Sequence, residues 1–220
     1  PLIRSLFENN FSLDKNHADD YILIADKLKN IKIIDPACGS GAFPMGLLNR
    51  MVDILLRISP NEKVYDLKLA IIENCIYGSD IQRIAAQITK LRFFISLICS
   101  CEKDATKPNF GIPTLPNLET KFVAANSLIS KKRQVSRNLF ENPEIEPTKE
   151  ELTRIRHEHF SAKTANRKSI LREQDQILRE KLAKLLADDE DFAPEDAKQL
   201  AAWNPYDQNA ESPFFDPAWM

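Results

Sequence analysis

Glycine is scarce in this sequence, five residues in 220, so the chain offers few places where a ligand or a packed helix can approach the backbone closely. Three of the five, Gly39, Gly41 and Gly46, fall together. A charge excess is also missing: 30 Lys and Arg against 32 Asp and Glu give a net −2. A surface that grips a phosphate backbone by itself shows a basic excess, because charge neutralisation supplies much of the affinity. Long apolar runs are absent too. Leu91 to Cys101 falls short of the roughly 18 to 20 residues of a membrane span and is flanked by charge. The N-terminus lacks the basic-then-apolar pattern of an export signal. The four cysteines, Cys38, Cys75, Cys99 and Cys101, do not have the spacing of a zinc site, which fits reduced thiols in a cytoplasm. Cys99 and Cys101 read as buried or half-buried small apolar residues. With 43% hydrophobic residues, the chain can bury one good core with an appendage.

The clustered glycines follow a β-branched stretch, Ile31-Lys32-Ile33-Ile34, in the turn Asp35-Pro36-Ala37-Cys38-Gly39-Ser40-Gly41-Ala42-Phe43. Pro44 suits a first helical turn, where its missing N–H costs nothing, and an apolar periodic run extends from Leu47 to Ile58. A strand entering a glycine turn and then a helix is how α/β nucleotide folds present backbone N–H groups to a ligand. A strand-to-helix turn with no ligand is the alternative.

Upstream, Leu2, Ile3, Leu6 and Phe7, then Tyr21 to Leu28, give two helices separated by Asn9-Asn10. Downstream, Ser59-Pro60-Asn61 stops the helix, and Lys63 to Glu73 forms another, with Val64, Leu67, Ala70 and Ile71 on one face. Asn74 to Ile81 is a short strand ending in Asp80. A carboxylate at the end of the second strand can accept from both hydroxyls of a ribose. It follows the glycines by roughly 40 residues, twice the spacing usual in dinucleotide folds, which weakens a dinucleotide reading. Asp80 could also, or instead, cap the helix Gln82 to Ser100. In that helix Ile84, Ile88, Leu91, Phe94, Ile95 and Ile98 recur at three and four and should face the sheet, leaving Gln82, Arg83, Gln87, Lys90 and Arg92 to solvent. After a proline-rich loop from Glu102 to Asn117, Leu118 to Ile129 carries a third strand ending in Asn126-Ser127-Leu128, where Asn126 is a site residue or a plain turn residue.

The sequence Asp-Pro-Ala-Cys-Gly-Ser-Gly-Ala-Phe at Asp35 to Phe43 resembles motif I of the gamma-class adenine-N6 DNA methyltransferases, particularly the large fused restriction-modification enzymes of type IIG-like organisation. That resemblance implies S-adenosylmethionine as cofactor. Asp35 would face its methionine amino end, the backbone of Pro36, Ala37, Cys38, Gly39, Ser40 and Gly41 would pack on it, and Phe43 would lie nearby. Gly78-Ser79-Asp80-Ile81 matches the family's motif II, which gives Asp80 and Ile81 to the ribose side. Asn126-Ser127-Leu128 resembles motif III, whose amide meets the cofactor's adenine amino group while the next residues line the ring. The family's motif X, which precedes motif I, is not found here.

Beyond Ser130 the composition changes to interleaved acids and bases with a narrow apolar stripe, including Leu152, Ile155, Phe160, Ile170, Leu182 and Leu186. Pro147-Thr148-Lys149-Glu150-Glu151 looks like a helix start with Thr148 as cap, and the region reads as a long solvated helix or hairpin, partly coiled-coil-like. It could be a DNA-contacting arm, but a structural arm or partner surface is favoured. His157 and His159, two apart, point to different sides and do not make a metal pair. Asn204-Pro205-Tyr206-Asp207 has one proline fewer than the family's catalytic Asn-Pro-Pro-aromatic motif. The preceding Glu195 to Trp203 is also helix-like rather than the strand that motif must end. Trp203 to Met220 is similar to the segment just before the catalytic strand, so the catalytic motif itself is expected to be missing.

The expectation is therefore an α/β, Rossmann-like S-adenosylmethionine-dependent methyltransferase fold, present as the first half of its parallel sheet. Strands lie near 31–35, 75–79 and 121–125. The cofactor-binding half spans 1–130, a charged helical insertion 131–200 and a linker 201–220. DNA would be the partner, gripped mostly through regions outside this chain. A methyltransferase acting on protein or RNA, or a non-catalytic assembly subunit with the same fold, are the rivals.

Overall fold

The computed structural model describes residues 2–8, 14–129, 142–188 and 194–213. The aromatic tail Phe214 to Met220 and the start of the expected insertion, 131–141, lie outside them. Three short parallel strands form one sheet in the order β1-β2-β3: β1 Ile33–Asp35, β2 Ile76–Asp80 and β3 Phe122–Ala124. Asp35 lies opposite Gly78 and Asp80 opposite Ala124, so all three strands end at one edge of the sheet. The helices are α1 Leu2–Ser5, α2 Ala18–Asn30, α3 Ala42–Ile58, α4 Val64–Asn74, α5 Arg83–Ile98, α6 Ile145–Ser161, α7 Ala165–Asp188 and α8 Pro194–Ala202. Among the described residues no helix is long and apolar enough to cross a membrane.

The core explains why these segments fold together. Leu48, Met51, Val52 and Leu55 of α3, Leu67, Ile71 and Ile72 of α4, and Phe93 and Leu97 of α5 close over Ile76 and Phe122 of the sheet. The Phe93 and Phe122 rings stand 4.6 Å apart. Tyr21 of α2 packs with Leu6 and Ile54 in a smaller cluster. β3 is buried along its length, whereas β1 is bonded on one side only and leaves Ile34 exposed.

Helix α5 corrects the sequence reading. Its buried side chains are Ala86, Thr89, Phe93 and Leu97, while Ile84, Ile88, Leu91, Ile95 and Ile98 are 39–64% exposed. Both stripes have helical spacing, and the sheet takes the one with small residues opposite the glycine turn. Of the polar positions expected to face solvent, Gln82, Arg83 and Arg92 are exposed, while Gln87 and Lys90 are half-buried; Arg83 and Gln87 hold the chain at 208–211, and Arg92 holds Ser40.

Helix α6 starts one turn before Thr148, with Glu144 as N-cap. Thr148 Oγ1 instead donates back to Glu144 O at 2.7 Å. Helices α6 and α7 pack through Ile145, Leu152, Leu182 and Leu186. They are also fastened to the sheet's side of the molecule. Phe160 joins the main core, and the Asn117 amide donates to His159 O at 2.6 Å and to Ala162 O at 3.0 Å. His157 is exposed and pairs with Glu73 at 3.2 Å, whereas His159 is buried. Cys99, expected to be buried or half-buried, is exposed, and Cys101 is half-buried.

Candidate site at the strand ends

The turn after β1 is shaped by two left-handed glycines, Gly39 at φ +54° and Gly41 at φ +81°, a conformation that costs an L side chain strain. Gly41 is the N-cap of α3. Both the amide and the carbonyl of Gly39 are held. Its N–H donates to Asp80 Oδ2 at 2.9 Å, and its carbonyl accepts from Thr89 Oγ1 at 3.0 Å. Arg92 Nη1 donates to Ser40 O at 3.1 Å. Asp35 Oδ1 accepts from Ala37 N at 3.2 Å within the turn itself.

The ends of the strands are stitched to this turn. Cys38 N donates to Ser79 O at 2.9 Å, and Pro36 O accepts from Ser79 Oγ at 3.3 Å and from Ser127 Oγ at 2.6 Å. The turn, Asp80 and Asn126-Ser127-Leu128 therefore meet at one end of the sheet. Asp80 Oδ1 accepts from Gln82 N at 2.8 Å. It sits outside helix α5, whose N-cap is Gln82, so the helix-cap alternative does not describe it. Each carboxylate oxygen has a second lone pair to offer. Asn126 Oδ1 accepts from Leu128 N at 3.1 Å, forming an Asx turn. Around the rim Phe43, Ile81 and Leu128 are exposed, Leu128 by 93%. The Cys38 thiol lies on the inner side, where burial pushes its pKa up to about 11, so it is a packed group and not a nucleophile.

Sequence reasoning missed Thr89 and Arg92. Both lie mid-helix, where a hydroxyl or guanidinium has no motif around it to mark a role.

Asn204-Pro205-Tyr206 lies in different surroundings. Tyr206 is buried, and its hydroxyl donates to Asp175 Oδ1 at 2.9 Å. Its ring stands 4.6 Å from that of His159, and the Arg172 guanidinium lies 5.3 Å from its centroid. Asp175 also accepts from Arg156 Nε at 2.8 Å and Arg179 Nε at 2.7 Å. Burial pushes its carboxyl up, but the two guanidinium groups outweigh this and hold it below the usual range. Burial, with Asp175 beside it, pushes the Tyr206 phenol well up. Arg179 Nη1 donates to Ala201 O at 2.6 Å and to the Trp203 carbonyl, fixing the end of α8. From there the chain reaches β3, where Ser212 N donates to Ala124 O at 2.9 Å and Asn126 N to Ser212 O at 3.1 Å.

A glycine turn after one parallel strand, an acid ending the next and an amide just past the third thus stand together at one end of the sheet. The chain belongs to the MmeI DNA-methyltransferase domain family, whose sequence model matches residues 12–138. That stretch contains all three strands and the whole strand-end cluster, while α6 to α8 lie past it. A putative type II restriction enzyme and methyltransferase of Methanocaldococcus jannaschii is 40% identical over 108 residues, covering 47% of this chain and 9% of that protein. The chain thus spans less than a tenth of that relative's length. No solved structure matches it.

Proposed function

We propose that the chain is the cofactor-binding half of an S-adenosylmethionine-dependent adenine-N6 DNA methyltransferase domain from a restriction-modification enzyme. The observation that carries this reading is the convergence of the glycine turn, Asp80 and Asn126 at the ends of three parallel strands, inside the family-matched stretch. The residues fit such a cofactor. A side chain built on Gly39 would meet nothing within 4 Å, so the turn has an open side. Asp80 retains free lone pairs for hydroxyl groups, and Phe43, Ile81 and Leu128 offer apolar surface to a ring. When bound, the cofactor supplies an electrophilic sulfonium methyl group. The chain's own part is to orient it: Asp80 accepts from the ribose, Asp35 faces the methionine amino end, and Asn126 meets the adenine edge. Type II restriction, named for the relative, supports the restriction-modification assignment, and the motif resemblance supports adenine N6.

The fold is the first half of a Rossmann-like sheet. Its β1 edge is open on the side where a further parallel strand pairs in doubly wound folds. The region 131–200 is a structural insertion, and 201–220 leads toward the strand that would bring the target base. The burial of Tyr206 against Asp175 supports reading Asn204-Pro205-Tyr206 as a structural segment and not as the base-holding motif. With a net charge of −2, this chain contributes little of the grip on DNA.

Titration calorimetry of the whole chain with S-adenosylmethionine tests the reading. Binding should be measurable and about tenfold weaker in Asp80→Ala, the size of one or two lost hydrogen bonds. No heat from the wild-type chain contradicts the proposal, and equal affinity in the variant removes Asp80 from the site.

A further inference from the structure

Thr89 lies in the middle of α5, completely buried, directly beneath the glycine turn. A Thr hydroxyl inside a helix ordinarily bonds back to a carbonyl of its own preceding turn. Thr89 Oγ1 instead donates to Gly39 O at 3.0 Å in another segment. The fit is close, since a Cβ built on Gly41 would stand 2.8 Å from both Oγ1 and Cγ2 of Thr89.

The Gly39–Ser40 peptide is planar and trans, so its C=O and N–H point in opposite directions. Drawing Gly39 O toward α5 turns the Ser40 N–H away from α5. That N–H makes no hydrogen bond among the described residues. The amides on either side are spoken for: Gly39 N donates to Asp80, and Gly41 N to Cys38 O at 2.8 Å. Arg92 holds the next carbonyl, Ser40 O, from the same helix, which limits rotation of the following peptide.

We propose that Thr89 is a positioning residue for the cofactor turn, one that fixes the Gly39–Ser40 peptide so that Ser40 N–H stands free as a donor to the ligand. The assignment rests on the S-adenosylmethionine reading above. It extends that reading to a side chain that touches no ligand.

The test compares the wild-type chain with Thr89→Val, which keeps the shape and loses the hydroxyl, and Thr89→Ser, which keeps the hydroxyl and loses the methyl group. S-adenosylmethionine affinity is measured by calorimetry, with the thermal midpoint recorded for each protein. The expected result is a loss of about tenfold in Thr89→Val, as for one hydrogen bond, and affinity within about threefold of wild type in Thr89→Ser. Wild-type affinity in Thr89→Val overturns the assignment, and so does a loss in Thr89→Ser equal to that in Thr89→Val, which would make packing the whole effect. If Thr89→Val does not fold, Thr89→Ala takes its place, since it differs from Thr89→Ser only in the hydroxyl: a loss of about tenfold relative to Thr89→Ser supports the role, as for one hydrogen bond, and affinity equal to that of Thr89→Ser overturns it. A wild-type chain that does not bind at all sinks the cofactor reading itself, an outcome separate from a difference confined to the variants.

Discussion

Gly39 and Gly41 are two residues apart and both left-handed, yet substitution should treat them unequally. A Cβ on Gly39 enters open space, while one on Gly41 collides with Thr89, which is fully buried. Gly39→Ala should lower stability by about 1 kcal/mol, the cost of a left-handed alanine. Gly41→Ala should cost about 3 kcal/mol or more, because the buried contact adds to the backbone strain. Urea unfolding of the two variants checks this, and equal losses would mean that Thr89 yields freely. At this scale much of the site was legible. The placement of Asp35, Asp80 and Asn126 together was readable because a polar residue at the end of a parallel strand has one position to occupy, and that of the glycines because the chain has so few. Thr89 and Arg92 were not legible, since their roles depend on how α5 is rotated against the turn.

That rotation could not be read from the sequence. Helix α5 carries two apolar stripes, and the longer one, Ile84 to Ile98, is the one left exposed. Only the three-dimensional fit of Thr89 and Phe93 against Gly41 and Phe122 selects the other. The start of β3 holds a second feature hidden from sequence. Lys121 is buried, its Nζ donates to Glu73 O at 2.5 Å at the end of α4, and it lies 4.0 Å from the centroid of the Tyr77 ring. Burial, with Lys32 adding repulsion, pushes its pKa down to about 8. In the unfolded chain the amine titrates near its usual value of about 10.4, so between these values the unfolded state binds more protons and stability gains with rising pH. Below pH 8 both states are charged and the cost of burying the charge is fully felt. Cys75 and Tyr77, raised chiefly by burial, act in the opposite sense at alkaline pH, so the effect is best seen as a difference. Relative to Lys121→Met, the wild-type chain should become more stable between pH 8 and 10. Denaturant unfolding at pH 7.5 and 10 measures it, and a constant difference would show that the amine is solvated.

Across the whole molecule, the order of strands and helices was legible because each short apolar strand is followed by a polar turn residue, Asp35 and Asp80 closing β1 and β2 and Asn126 standing two residues past β3. How firmly the charged region is joined to the rest was less legible. It carries a solvated texture, yet Asn117, Phe160, Arg172 and the Asp175 cluster bind it to the loop before β3 and to the chain at 201–206. These ties explain how a segment with mixed charge can direct the chain back to β3 at Ser212. They also explain why Tyr206, which looks like a catalytic aromatic in one dimension, is a buried anchor in three. The ligand proposed for this chain, S-adenosylmethionine, would sit across the ends of the three strands. Amide hydrogen exchange with and without S-adenosylmethionine tests it most directly. Slowed exchange is expected at residues 36–43, 79–82 and 125–129 alone, with α6 and α7 unchanged; no protection at the glycine turn, or protection centred on α6 and α7, would rule this placement out.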